Sequence, residues 1–286
     1  MSGEGGIRTP DGPKAHTGFR DHQPIGVGCG AVQRGCQSAR AEGDRGAIEI
    51  GSATYHLSLG ALSLTASMTI IGNGPGSTTI AQTDGHDHVI TVGSGPTVTI
   101  QGVTISGGEV SGAPGLPGMD GGSVLGGGIV DTYGALTLTN DRVTDNGVFG
   151  GNADVTDGAA AGDGGDAFGA AIAVGDGFHA STLTLIGTTV NNNVAFGGVG
   201  GQSNQQAGLG GGASAVIFGL SEATIVINNS TVSDNQASAG AGGGTTATVP
   251  ATGTGGTAWD GVFVQGPSSG SAPGASRQYR LGQIAS

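Results

Sequence analysis

The sequence predicts an all-β solenoid in which short parallel strands stack repeat upon repeat. Three observations predict it. One motif recurs: Val98-Thr-Ile-Gln-Gly-Val-Thr-Ile105, Leu136-Thr-Leu-Thr-Asn-Asp-Arg-Val-Thr-Asp-Asn146, Leu183-Thr-Leu-Ile-Gly-Thr-Thr-Val-Asn-Asn-Asn193 and Ile225-Val-Ile-Asn-Asn-Ser-Thr-Val-Ser-Asp-Asn235 start 38, 47 and 42 residues apart. Each copy alternates apolar and polar residues, the period-two pattern of a strand with one buried face. Val and Ile far outnumber Leu, and no helical period lies between the copies.

A looser copy, Met68-Thr-Ile-Ile-Gly72, comes first. In the later copies the pairs Leu136 and Leu138, Leu183 and Leu185, Ile225 and Ile227 each mark one strand. A turn follows at Asn140, Gly187 or Asn229, residue types that tolerate positive φ. A second short strand then carries Val143, Val190 or Val232. A third apolar stretch precedes each unit: Gly127-Gly-Ile-Val130, Ala171-Ile-Ala-Val174 and Ser214-Ala-Val-Ile217. Three short strands per repeat describe one coil of a parallel β-helix, which buries its face only when coils stack. At about 4.8 Å per coil, some five coils make a rod about 25 Å long.

Gly-rich stretches at 107–125, 147–168, 194–210 and 236–256 separate the units. All leave the coil just after the second strand, so they map to one face. They are expected to form a fringe of flexible, acidic, Gly-rich loops along one side. Gly261-Val-Phe-Val-Gln265 opens a further coil with no Leu-Thr-Leu partner. Open coil ends expose unpaired strand edges, which invite self-association; a fragment of a longer protein is the other reading.

The chain of 286 residues carries 63 Gly, and its nine Lys/Arg against 21 Asp/Glu give a net charge of −12. Phosphate backbones repel such a surface, so nucleic acid is not an expected partner. No apolar run reaches the length of a transmembrane helix. Arg142 is the only Lys or Arg between residues 46 and 276. Residues 1–45 hold six of the basic residues and no hydrophobic period, so this segment is expected to be disordered or to follow a misplaced start codon. It shows no signal-peptide core. Its Cys29 and Cys36 suit either a small disulfide loop or two free thiols. The body of the fold spans 46–265. The tail, 266–286, is Ser/Gly/Pro-rich and is expected to be disordered.

The repeats resemble those of the polymorphic outer membrane protein group, which pair a Gly-Gly-Ala-Ile-like stretch with a Phe-x-x-Asn-like stretch. Gly126-Gly-Gly-Ile-Val130 and Gly169-Ala-Ala-Ile-Ala173 resemble the first, and Phe149-Gly-Gly-Asn152 the second; Phe196-Gly-Gly-Val199 lacks the Asn. The segment from Ala47 through Tyr55-His-Leu-Ser-Leu59 to Ile71-Gly-Asn-Gly-Pro-Gly76 resembles the first coil of exported β-helix proteins. The Cys-Ser-Leu-Arg-Glu-Ala motif that opens those proteins has only a scrambled counterpart in Cys36-Gln-Ser-Ala-Arg-Ala-Glu42. The resemblance implies a right-handed parallel β-helix that is extracellular or at the cell surface. The group's C-terminal membrane barrel has no counterpart in this chain.

Several constellations invite a chemical reading. Asp145 and Asp234 occupy equivalent positions two coils apart, about 9.6 Å, near the upper limit for an inverting glycosidase pair. The stronger reading is a structural turn column of Asp145-Asn146, Asn192-Asn193 and Asp234-Asn235, whose side chains bond the local backbone. Asp84-Gly-His-Asp-His88 offers metal-ligand types, although a turn before the strand Val89–Val92 is the plainer reading. Asp154, Asp157, Asp163 and Asp166 crowd one Gly-rich stretch. Such a cluster invites weak Ca²⁺ contact, but Ala161 breaks the register of a calcium repeat. Gly112-Ala-Pro-Gly-Leu-Pro-Gly-Met-Asp-Gly121 has collagen-like spacing, too short for a triple helix. His56 and His179 stand alone in the sequence. A lone Arg142 in a turn lacks the partners of a polysaccharide lyase. Trp259 alone makes a poor sugar platform.

No catalytic, cofactor or metal set is therefore assigned. The expectation is a non-enzymatic structural or adhesive module whose partner is a surface glycan or protein. The rival is a carbohydrate-active enzyme or glycan binder.

Overall fold

The computed structural model describes residues 47–154, 160–214, 216–244, 253–259, 261–264 and 277–279. Cys29, Cys36 and Asp157 lie outside them. The described residues are all β, without a helix, and their strands pair in four sheets, in parallel save for one antiparallel pair at the end. This arrangement is compatible with a solenoid or β-helix.

The main sheet has two halves. In one, Leu62, Ile90, Ile129, Ile172, Ile217 and Val262 stand in register, strand against strand. In the other, Met68, Val98, Leu136, Leu183 and Ile225 do the same. The strands Ile90–Gln101 and Ile129–Thr139 run through both halves and join them. A register shift between Tyr133 and Ala135 marks the bend.

The second sheet stacks Thr54–Leu57, Thr79–Gln82, Thr104–Ser106, Arg142–Thr144, Thr189–Asn191 and Thr231–Ser233. Its inward column is Ile80, Ile105, Val143, Val190 and Val232. These columns face one another across a single apolar core, and most of its side chains are fully buried. Alternation follows from the pleat: Leu136 and Leu138 point in, while Thr137 and Thr139 remain partly open to solvent.

The third and fourth sheets lie at the two ends of the Gly-rich stretches. Glu109–Ser111, Gly147–Phe149, Val194–Phe196 and Gln236–Ser238 form one; Val124–Leu125, Ala167–Phe168, Ala213–Ser214 and Ala258–Trp259 form the other. Between them the described backbone is hydrogen-bonded rather than irregular, which corrects the expectation of a flexible fringe. Gly151 N–H donates to Gly122, Gly165 to Gly151, Gly198 to Gly165, Gly211 to Gly198, Gly240 to Gly211 and Gly256 to Gly240, all between 2.8 and 3.0 Å. Three residues further out, Gly201 donates to Gly162, Gly208 to Gly201, Gly243 to Gly208 and Gly253 to Gly243. A three-residue hydrogen-bond period is that of the polyproline II helix, which makes no bonds within itself and leaves its backbone groups to water or to neighbouring segments. Outgoing and returning segments of successive repeats thus interlock into a wall.

The wall needs glycine. A Cβ on Gly165 would lie 2.1 Å from Gly122 O, one on Gly198 2.0 Å from Gly151 O, and one on Gly211 2.0 Å from Gly165 O. The collagen-like spacing at 112–121 belongs to the same pattern: Gly112 N–H bonds Phe149 O and Gly115 N–H bonds Asn152 O.

At the far end, Val262–Val264 pairs in parallel with Ile217–Gly219. Arg277–Tyr279, within the stretch whose composition signals disorder, adds an antiparallel strand to its other edge.

Candidate functional site

Polar residues concentrate at the two turns that flank the second sheet, and the fold uses most of them. Asn140, Gly187 and Asn229 follow the main-sheet strands with φ of 52°, 60° and 47°. The residue after each makes a ladder. Asp141 Oδ1 accepts from Val103 N–H at 2.7 Å, Thr188 Oγ1 from Asp141 N–H at 3.3 Å, and Ser230 Oγ from Thr188 N–H at 3.0 Å. Asp141 Oδ2 also accepts from Thr139 N–H at 2.9 Å. Burial raises the Asp141 carboxyl to about 8, and the backbone hydrogen bonds only partly offset this. This ladder was not legible in the sequence, although a small polar residue does follow the turn residue in the three later copies.

After the second-sheet strand comes another turn. Asp145, Asn192 and Asp234 hold φ of 56°, 56° and 55° and are exposed. Asn and Asp tolerate this left-handed region better than other side chains. The carboxylates accept from their neighbours: Asp145 Oδ2 from Thr144 Oγ1 at 3.1 Å and Asp234 Oδ2 from Ser233 Oγ at 3.0 Å.

The next residue turns inward. Asn146 Nδ2 donates to Asn193 Oδ1 at 2.9 Å, and Asn193 Nδ2 to Asn235 Oδ1 at 2.9 Å. The same oxygens accept the backbone N–H of Asn146 and Asn193, at 3.2 and 3.0 Å. Each amide also donates to carbonyls, Asn193 to Val143 O and Asn191 O. The structure therefore places the six turn-column residues in two adjacent ranks: an exposed left-handed rank and an inward amide ladder.

Elsewhere the named candidates have backbone roles. Asp87 accepts from Ala61 N–H and His88 N–H, and His88 Nδ1 lies against Gly126 O. Asp163 Oδ1 accepts from Leu209 N–H at 2.7 Å, Asp166 Oδ1 from Gly212 N–H at 2.7 Å, and Asp120 Oδ1 from Asp163 N–H at 2.8 Å. No three His, Cys, Asp or Glu side chains come together as a metal set among the described residues. Arg142 is exposed and reaches Asn191 Oδ1 at 3.3 Å. It borders an open hollow lined also by Pro75, Asn140, Asp141 and Thr189.

Two features were not legible in the sequence. His179 is paired: its Nδ1 meets Asp176 Oδ2 at 2.6 Å and its ring stacks on Tyr133 at 4.7 Å. The His179 hydrogen bond, with backbone help, holds the Asp176 carboxyl down to about 2. Asp131 stands in the inward column between Val92 and Val174. Its Oδ1 accepts from Gly134 N–H at 2.7 Å, which ties down the bend, while Oδ2 has no partner among the described residues. Burial raises this carboxyl to about 6. Trp259 lies in a described strand, but its side chain is outside the description.

No protein-family model, curated protein or solved structure matches this chain.

Proposed function

We propose that the chain is a right-handed parallel β-helix serving as a non-enzymatic, exported structural or adhesive module of the kind the polymorphic outer membrane protein group exemplifies. Right-handedness follows from the strong preference of parallel crossovers for that hand. The glycine wall carries the adhesive reading. It leaves four successive repeats at the same corner, it is locked by backbone hydrogen bonds, and it keeps residues such as Leu116, Met119, Val199 and Leu209 exposed. A preordered surface binds a partner without first having to be ordered. The partner class is a surface glycan or protein. The carboxylates Asp145 and Asp234 serve turn geometry in this reading, not acid-base chemistry.

Binding of the full chain to whole cells and to a polysaccharide panel tests the proposal, with Val199→Asp plus Leu209→Asp as the variant. Retention that falls in the variant supports the wall as contact face; retention unchanged by it sinks that assignment. Release of reducing ends from the panel, lost on Asp145→Asn, would establish the carbohydrate-active alternative instead. Fractionating the source cells tests export, since recovery from cytosol alone contradicts it.

A further inference from the structure

The outward face of the second half of the main sheet carries a lattice of threonines. Thr97-Val-Thr99, Thr137-Leu-Thr139 and Thr182-Leu-Thr184 lie on three successive strands. Thr99, Thr137 and Thr184 are direct partners in register, with Thr69 continuing the rank on the preceding strand. The pairing of this half shows no register shift from Met68–Ile71 to Ala223–Asn228. Val226 ends the central rank, and the ranks on either side hold Ala135 and Thr224 on one and Ile71, Gln101, Ile186 and Asn228 on the other, so no charge or aromatic ring interrupts the array.

The hydroxyls are uncommitted. None of these threonine side chains makes a hydrogen bond within the described residues. Each offers one donor and two acceptor lone pairs, with a methyl group beside them. The pleat sets their spacing: about 4.8 Å between strands and about 6.6 Å between alternate residues of one strand. The inward neighbours Val98, Leu136, Leu138, Leu183 and Leu185 are fully packed, which fixes the strands beneath the array.

From this geometry we infer that the threonine face binds ice. Its partner must be neutral, rigid and periodic along the stack of strands, and must both donate and accept hydrogen bonds. The inter-strand spacing along the unbroken rank of Thr69, Thr99, Thr137 and Thr184 lies near the shorter in-plane oxygen repeat of a prism face of hexagonal ice. The methyl groups hold first-layer water weakly, and the hydroxyls anchor it at the repeat. Association then sums many small contacts with little ordering cost, because the face is built before it meets the partner. A crystalline polysaccharide is the less suited periodic partner, since sugar faces are gripped by aromatic rings. This face is separate from the glycine wall, and the inference stands whether or not that wall is adhesive.

The test uses the full chain on growing ice crystals. The expected result is faceted crystals, a gap between melting and freezing points, and enrichment of the protein in the ice fraction. Thr137→Lys plus Thr184→Lys should abolish all three while leaving the circular-dichroism melting curve unchanged. Thr231→Lys, on the neighbouring sheet, should leave all three intact. Smooth crystals with the unsubstituted protein would overturn the inference. So would full activity in the double variant, or retention on crystalline cellulose without any effect on ice.

Discussion

Asn146 and Asn193 are joined side chain to side chain across one repeat, Nδ2 to Oδ1 at 2.9 Å, with both residues essentially buried. A buried amide has two donors and a two-lone-pair acceptor to satisfy. Asn193 satisfies them through Val143 O, Asn191 O, Asn235 Oδ1 and the amide groups of Asn146. Buried polar groups so connected strengthen one another, and the same low dielectric penalises any gap.

Removing one rung should therefore cost more than removing a hydrogen bond at the surface. Asn193→Ala leaves the carbonyls of Val143 and Asn191 and the amide of Asn146 without their partner. At roughly 1–3 kcal/mol for each buried group left unsatisfied, a loss of about 3 kcal/mol or more is expected. A urea titration measures it as a lower midpoint. A change below about 1 kcal/mol would mean water replaces the amide freely.

The wall gives a sharper contrast. Gly198→Ala places a Cβ 2.0 Å from Gly151 O, where only backbone can yield. Overpacking of this kind costs typically 1–3 kcal/mol and here should reach the top of that range. Gly76→Ala meets nothing within 4 Å and has no left-handed φ, so its effect should stay within about 0.5 kcal/mol. Equal melting temperatures for the two variants would show that the interlocked wall contributes nothing to stability.

The exposed rank of turns separates conformation from chemistry. Asn192 has φ of 56°. Asn192→Gly should be tolerated, whereas Asn192→Ala should cost about 1 kcal/mol or more, because alanine keeps the Cβ that crowds the following carbonyl and loses the short polar group that eases Asn into this region. Thermal denaturation of both variants checks the order. Indifference to both would remove the backbone reason for Asn at this position.

How much of this was legible follows from what each part uses to hold itself together. The strand register was legible: the offsets that align Val98, Leu136, Leu183 and Ile225 in sequence are those by which the strands pair. Apolar alternation reports burial directly, so the columns could be read. The wall could not, because glycine has no side chain and leaves no hydrophobic period. Its signal was instead a Gly-Gly-x repeat, as in Gly164-Gly165-Asp166 and Gly210-Gly211-Gly212, read as a mark of loops. The amide ladder was half legible. Asx residues at a turn were evident, but bonding across repeats rather than within the turn needs the stack itself. Asp131 was hidden because its position in the apolar alternation carries a carboxyl, and the bend that it braces appears only as a register shift.

Asp131 and Asp141 together set the pH response. Burial holds both carboxyls above the ordinary 3.8, at about 6 and about 8. Between 3.8 and those values the folded chain keeps protons that the unfolded chain has released. Stability from this source is full below about pH 4 and is lost as pH rises through the folded values, at up to about 1.4 kcal/mol per pH unit for each group. Both groups act between about pH 4 and 6, and Asp141 alone between about 6 and 8. Asp176, held down to about 2, acts only in more acid solution and with the opposite sign. Urea midpoints measured from pH 4.5 to 8.5 should therefore fall steadily. Asp131→Asn should flatten the acid half of that slope, and Asp141→Asn should flatten the alkaline half as well. Midpoints that rise toward neutral pH would mean that both carboxyls are ionised in the folded chain, and that the hydrogen bonds from Gly134, Val103 and Thr139 outweigh burial.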